Sequence, residues 1–184
     1  MNSSAVPAQI EALLASIPDF PTPGILFRDL TPVFADAAAF RSVVAELVSP
    51  YVAGVGSDAG IDVVAGVEAR GFLLAGAAAH QLDAGVVAVR KAGKLPGEVL
   101  SESYDLEYGS ASLEMHPAAT PGQRMLVLDD VLATGGTLAA TVRLAEAAGY
   151  IVVGVAVVLE LDGLGGRDLL PSHPVVSLLS VSAS

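Results

Sequence analysis

Between Ile61 and Leu161 the sequence keeps returning to short apolar runs separated, for most of its length, by longer segments of small and amphipathic residues. "IDVVAGV", "AGVVAVRK", "RMLVLDD" and "YIVVGVAVVLEL" have the length and β-branched content of buried strands. "RGFLLAGAAAHQL" and "GGTLAATVRLAEAAG" read as helices, the second closed by Gly149. Strands alternating with helices leave few arrangements open. The pattern implies an α/β fold with a mainly parallel, twisted sheet and helices on both faces. A short helix around "GGRDLL" and a last strand, "PVVSLLSV", finish it.

Upstream, "PAQIEALLASI" sets Ile10, Leu13, Leu14 and Ile17 on one face and predicts a helix. The prolines and glycine of "PDFPTPG" then impose a shaped loop. A second helix from about Ala37 carries Phe40, Val43, Val44, Leu47 and Val48, and Pro50 ends it near Ser49. "AGKLPGEVLSES" has no apolar period and reads as a long mobile loop. It leads into "YDLEYG" and "SASLEMH", which alternate as antiparallel strands do. With no repeat and no linker, residues 1–184 are expected to form one domain.

Several functions are excluded or disfavoured by composition. The chain has no cysteine, which removes disulfides, thiolate metal sites and a cysteine nucleophile. His80, His116 and His173 lie far apart, the last two beside Pro117 and Pro174, and read as surface or loop residues. Nine basic against twenty acidic residues give a net charge of −11, which repels nucleic acid. The longest apolar stretch, Ile151 to Leu159, is too short to span a bilayer, and the N-terminus lacks a basic start. A cytoplasmic location, with no membrane or nucleic-acid partner, is the expectation. Three of the nine basic residues nevertheless crowd into "RKAGK", Arg90 to Lys94, as either a small-anion site or a solvated turn.

The sharpest signal is "MLVLDDVLATGGT", Met125 to Thr137. In sheets of this class ligands bind beyond the carboxyl ends of the strands. Asp129 and Asp130 fall there, and "ATGGT" turns directly into a helix whose first N–H groups can bind an anion. Gly135 and Gly136 let a phosphate approach the backbone, and the hydroxyls of Thr134 and Thr137 add donors. The carboxylates would repel that same anion, so they suit neutral hydroxyls of one ligand or a bound Mg²⁺. A phosphate a few ångströms from a diol is most economically a ribose 5-phosphate. An N-capped helix would account for one aspartate, but not for the second or for the paired glycines. A nucleotide P-loop would need a lysine that is absent.

These residues resemble the 5-phosphoribosyl 1-pyrophosphate (PRPP) motif of the type I phosphoribosyltransferases, here 125–137. "PDFPTPGILFRDLTPV", "VEARGFL", "RKAGKLPG" and "SYDLEYG" are similar, in order, to segments of the branch that acts on adenine. The resemblance covers roughly residues 10–180. It implies a purine-salvage enzyme that makes AMP and pyrophosphate from adenine and PRPP, with Mg²⁺ on the PRPP oxygens and a homodimeric assembly. Asp129 and Asp130 would hold the ribose hydroxyls, with Mg²⁺ near them but no protein metal site certain. Ala133, Thr134, Gly135, Gly136 and Thr137 would cradle the 5′-phosphate.

In the same way Arg70, within Glu68 to Gly71, and Lys91 would contact pyrophosphate. By itself Arg70 reads more readily as a helix-start residue in a salt bridge. A flexible β-loop, about 91–109, would close over the site. It carries Glu107 as the catalytic group for the proton on the base, with Tyr108 beside it among the PRPP-binding residues. By pattern alone Glu107 is an exposed strand carboxylate. An N-terminal hood, about 18–34, would select the base, with Leu26 and Phe27 as walls, Arg28 orienting adenine, and Val131 packing from the PRPP side. The alternatives are a relative that uses hypoxanthine, guanine or xanthine, and a PRPP-binding transcriptional regulator without catalysis.

Overall fold

The structure, a computed structural model, describes residues 5–52, 60–106 and 109–183. Its centre is a seven-stranded sheet built from β3 (Val63–Val67), β4 (Gly85–Lys91), β5 (Leu100–Leu106), β6 (Gly109–Met115), β7 (Arg124–Leu132), β8 (Ile151–Asp162) and β9 (Val175–Ser182). The spatial order is β5-β6-β4-β3-β7-β8-β9. From β4 to β9 the neighbours are parallel, and β5 and β6 add an antiparallel edge.

Alternation along the strands divides the core in two. Val64, Leu126, Leu128, Ala156 and Val158 pack with α3 (Ala37–Val48) and α4 (Gly71–Leu82). Val63, Ala65, Val67, Met125, Val127, Val155 and Val157 face the other way, onto α5 (Gly136–Ala147). A sheet buried on both faces needs such continuous apolar strands. Gly154 to Leu159 of β8 are accordingly all buried.

The expected elements from Ala37 onward are present, with informative shifts at their ends. Asp36 caps α3 by accepting from the N–H groups of Ala38 and Ala39, at 3.0 and 2.8 Å. Pro50 falls in a 3-10 turn, Ser49–Tyr51, directly after that helix. β7 continues through Val131 and Leu132, so the two aspartates lie inside the strand's last turn of register rather than at its end. The expected loop "AGKLPGEVLSES" is shorter, because Leu100 to Ser103 already belong to β5 and pair with β6.

The N-terminal expectation needs correction. α1 (Val6–Leu13) stops before Leu14, and Ala15–Pro18 forms β1, which pairs antiparallel with β2 (Leu26–Asp29). Ile17 therefore faces Phe27 across a two-stranded sheet and is exposed rather than on a helix face. Cross-strand pairing outweighs a helical period that runs on for only one more turn. A five-residue helix, α2 (Thr31–Ala35), leads from this hood into α3.

Candidate functional site

The chain runs from β3 through α4 to β4 on one side, and β7 lies on the other side of β3. The β3–β7 boundary is thus a topological switch point, where the loops after adjacent strands diverge and leave a crevice. Two strand-to-helix turns open there: Glu68 to Gly71 before α4, and Ala133 to Gly135 before α5.

The first turn supplies charge. Arg70 is the N-cap of α4, with Nε 2.5 Å from Asp130 Oδ2. Its guanidinium carbon stands 5.7 Å from the centre of the Phe27 ring, which brings the hood to the mouth of the crevice. Arg70 thus opens a helix in an ion pair, as its residue type alone suggests, and it also lines the crevice. Gly71 has to be a glycine, because a Cβ there would lie 2.8 Å from the Leu128 carbonyl oxygen and 3.1 Å from Asp129 Oδ1. This close approach presses the start of α4 against the aspartates.

Asp130 is 6% exposed, and its Oδ2 accepts no directed hydrogen bond, although Arg70 is in ionic contact with it. A buried carboxylate oxygen in that state is an acceptor prepared for another donor. Asp129 Oδ1 accepts from the Asp130 N–H at 2.9 Å. Burial, and then the adjoining Asp130, push the Asp129 carboxyl well above the usual carboxylate range. The pair thus favours carrying less than its full negative charge until hydroxyls or a cation compensate it.

The second turn supplies backbone. Gly135 caps α5 in the left-handed region, φ 82°, so the chain can fold back and aim the helix's first N–H groups outward. Ala133, Thr134, Gly135, Gly136 and Thr137 line a cavity of about 100 Å³ together with Asp129 and Val131. A larger cavity, about 580 Å³, is lined by Arg70, Lys91, Asp129, Asp130 and Thr137. Asp129 and Thr137 belong to both, so the small niche at the glycine turn opens beside the larger cavity, where Arg70 and Lys91 face Glu68, Asp129 and Asp130.

Not every anticipated residue is assembled there. Within "RKAGK", Arg90 is held by Glu68 Oε2 at 3.3 Å and by the Lys94 carbonyl at 3.0 Å, and only Lys91 lines the cavity. Leu26, Phe27 and Arg28 line neither cavity, and Arg28 donates to Ser16 Oγ across the hood sheet at 2.7 Å. Glu107 and Tyr108 lie outside the described residues.

Two participants were not anticipated. Tyr104, on β5, receives a hydrogen bond from Thr137 Oγ1 at 3.3 Å and lines the larger cavity. Glu68 accepts from the Lys91 N–H at 3.1 Å, and this bond, helped by Arg90, holds its carboxyl below the ordinary range. Both stand in segments already singled out, "SYDLEYG" and "VEARGFL", but their partners are remote in sequence. Among the described residues no group of three or more His, Asp or Glu side chains is placed to hold a metal. Mg²⁺ commonly uses one or two carboxylates plus substrate phosphates, which Asp129 and Asp130 would fit once Arg70 releases the Asp130 Oδ2.

Comparison with known proteins agrees with this architecture. The phosphoribosyl transferase domain family matches residues 34–182. An adenine phosphoribosyltransferase of Clavibacter michiganensis is 60% identical over 94% of this chain and 95% of its own length. One from an Arthrobacter species is 58% identical over 97% and 94%. The crystal structure of adenine phosphoribosyltransferase from Rhodothermus marinus superposes with a TM-score of 0.87 at 47% identity, covering 96% of this chain and 99% of that one. That of the Saccharomyces cerevisiae enzyme, complexed with an imino-altritol bisphosphate and adenine, has a TM-score of 0.88 at 37% identity, covering 95% and 99%. With its glycine turn at the switch point and relatives of this closeness along nearly its whole length, the chain belongs to the phosphoribosyltransferase family, among the adenine phosphoribosyltransferases.

Proposed function

We propose that this chain, acting as a single catalytic domain, transfers the ribose 5-phosphate group of PRPP to adenine, releasing pyrophosphate and forming AMP in purine salvage. The observation that carries the reading is the meeting at one switch point of a bare glycine turn, two aspartates and the cations Arg70 and Lys91. A phosphate, a diol and a pyrophosphate are the groups such a set can hold together.

In this reading Ala133 to Thr137 bind the 5′-phosphate, and Asp129 and Asp130 accept from the ribose hydroxyls. Arg70 leaves Asp130 for the pyrophosphate, where it and Lys91 stabilise the charge that grows as the glycosidic bond breaks. The base nitrogen attacks the anomeric carbon as pyrophosphate departs, and no covalent nucleophile is required. Mg²⁺, bound chiefly by PRPP and near Asp129 and Asp130, would shield the pyrophosphate oxygens.

Leu26, Phe27 and Val131 wall the base. Arg28 contributes either by releasing Ser16 or by fixing the hood backbone that reads the adenine edge. Glu107 manages the proton on the base, with Tyr108 beside it, as the 91–109 segment excludes water from the oxocarbenium-like intermediate. Glu107→Gln should lower turnover far more than PRPP affinity, and equal turnover would remove that role.

A cytoplasmic homodimer completes the reading. Among the described residues no helix is long and apolar enough to cross a membrane. The alanines of α4 are mostly buried in the core, so the surface suited to a second copy centres on Leu73, 56% exposed, and the open backbone of Gly76. Sedimentation as a monomer at micromolar concentration would count against it.

The deciding experiment offers adenine, hypoxanthine, guanine and xanthine separately with PRPP and Mg²⁺. AMP from adenine alone is the expected result. Product from another base would keep the PRPP site and overturn the hood assignment. PRPP binding without any product would favour a non-catalytic sensor.

A further inference from the structure

The phosphate turn rests directly on a second backbone segment. Between β8 and β9 the chain makes a 3-10 turn, Gly166–Leu169. A Cβ added at Gly135 would overlap the Gly166 carbonyl oxygen and stand 2.9 Å from Gly166 Cα. One added at Gly166 would in turn overlap the Ala133 carbonyl oxygen and stand 2.9 Å from Leu132 Cδ1. Two backbones therefore touch with no side chain between them, and any shift of Gly166 is passed straight to Ala133–Gly135.

Gly166 is held in place through the next residue. Arg167 Nε donates to Glu160 Oε1 at 3.0 Å, and Nη2 donates to Glu160 Oε2 at 2.5 Å. Nη1 donates to the Val175 carbonyl at 2.8 Å, and Nη2 also reaches Ser177 Oγ at 3.1 Å. Ser177 Oγ closes the set by donating to Glu160 Oε2 at 2.7 Å. Glu160 belongs to β8, and Val175 and Ser177 to β9, so the guanidinium is pinned to two paired strands of the sheet. A planar fork with bidentate contacts fixes orientation as well as distance. Hydrogen bonds from Arg167, and then from Ser177, hold the Glu160 carboxyl below its ordinary range, so the pair stays charged at neutral pH.

We propose that Arg167 is a positioning residue for the phosphate turn: anchored on Glu160, it holds Gly166 against Ala133–Gly135 and keeps the turn's N–H groups spaced for a 5′-phosphate. The inference rests on the PRPP reading given above. It separates Arg167 from a clamp that only ties the sheet edge together, because the consequence falls on one end of one substrate.

The test compares the parent with Arg167→Met and Glu160→Gln by titration with ribose 5-phosphate, which carries the 5′-phosphate, and with pyrophosphate, which lacks it. In Arg167→Met the affinity for ribose 5-phosphate should fall about tenfold, the equivalent of roughly one backbone hydrogen bond to the phosphate. KM for PRPP should rise in step, while pyrophosphate affinity and KM for adenine stay at parent values. Glu160→Gln keeps the shape and one acceptor, and should show the same pattern at smaller size. It carries the test if Arg167→Met does not fold. Unchanged ribose 5-phosphate affinity, or equal losses for both ligands, would overturn the inference. A parent protein that binds no ribose 5-phosphate would instead bring down the PRPP reading, and this inference with it.

Discussion

The turns that open α4 and α5 follow neighbouring parallel strands, yet they offer a ligand opposite things. The first offers a side chain, Arg70, 37% exposed, which can exchange Asp130 for another anion without disturbing the fold. The second offers main chain, with Gly135 held left-handed and in contact with Gly166. A side-chain contact can be remade, whereas a backbone contact of this kind is part of the packing. Recognition at the first turn should therefore be separable from stability, and at the second it should not.

Gly135→Ala should produce the largest effect. A Cβ would be strained at φ 82° and would overlap the Gly166 carbonyl, so a loss of about 2–4 kcal/mol of stability is expected together with poor use of PRPP. Thermal unfolding and steady-state kinetics on one preparation check both halves. An unchanged Tm would break the contrast between the turns.

Asp130→Asn should separate them in the opposite sense. Losing a charge-assisted hydrogen bond of about 1.5–3 kcal/mol would raise KM for PRPP roughly ten- to hundredfold. Stability should change little, because Arg70, more than a third exposed, regains water. Unaltered PRPP affinity would remove Asp130 from ribose binding.

Asp129 sharpens the comparison through pH. Its folded-state pKa is raised by burial and by Asp130, so above the ordinary carboxylate value of about 4 the folded chain holds a proton that the unfolded chain has lost. Stability from this group is therefore lost as pH climbs toward the raised value. Asp129→Asn should flatten the decline and gain on the parent at alkaline pH. Parallel Tm profiles for the two proteins would contradict this.

The smallest effect is expected at Arg143, whose Nε lies 2.6 Å from Glu102 Oε1 and ties β5 to α5. With side chains 53% and 32% exposed, the pair should contribute about 0.2–1 kcal/mol, screened by salt. Arg143→Ala measured at low and high ionic strength would show a difference only at low salt.

Legibility in the sequence followed the range of the interactions. β3, β7, β8 and the helices α3, α4 and α5 were readable because apolar period, a terminating proline and a closing glycine act within a few residues. The hood sheet was not, since Ser16 meets Arg28 only after the chain has reversed through "PDFPTPG". Likewise the basic cluster "RKAGK" could be seen, but its division into a structural Arg90 and a cavity-lining Lys91 depends on Glu68, which lies on another strand's loop.

Taken alone, the sequence determined the alternation that makes a parallel sheet, and the succession of two acids and a glycine turn that opens a helix beside them. Both rest on local periodicity and backbone freedom, which no distant residue supplies. The tertiary structure alone decided which charges meet and which stay open. Arg70 finds Asp130 because β3 lies beside β7, and the glycine turn finds Gly166 because the connection from β8 to β9 passes against it. Such contacts depend on distance in space, and strand order sets that distance only once the whole sheet has assembled.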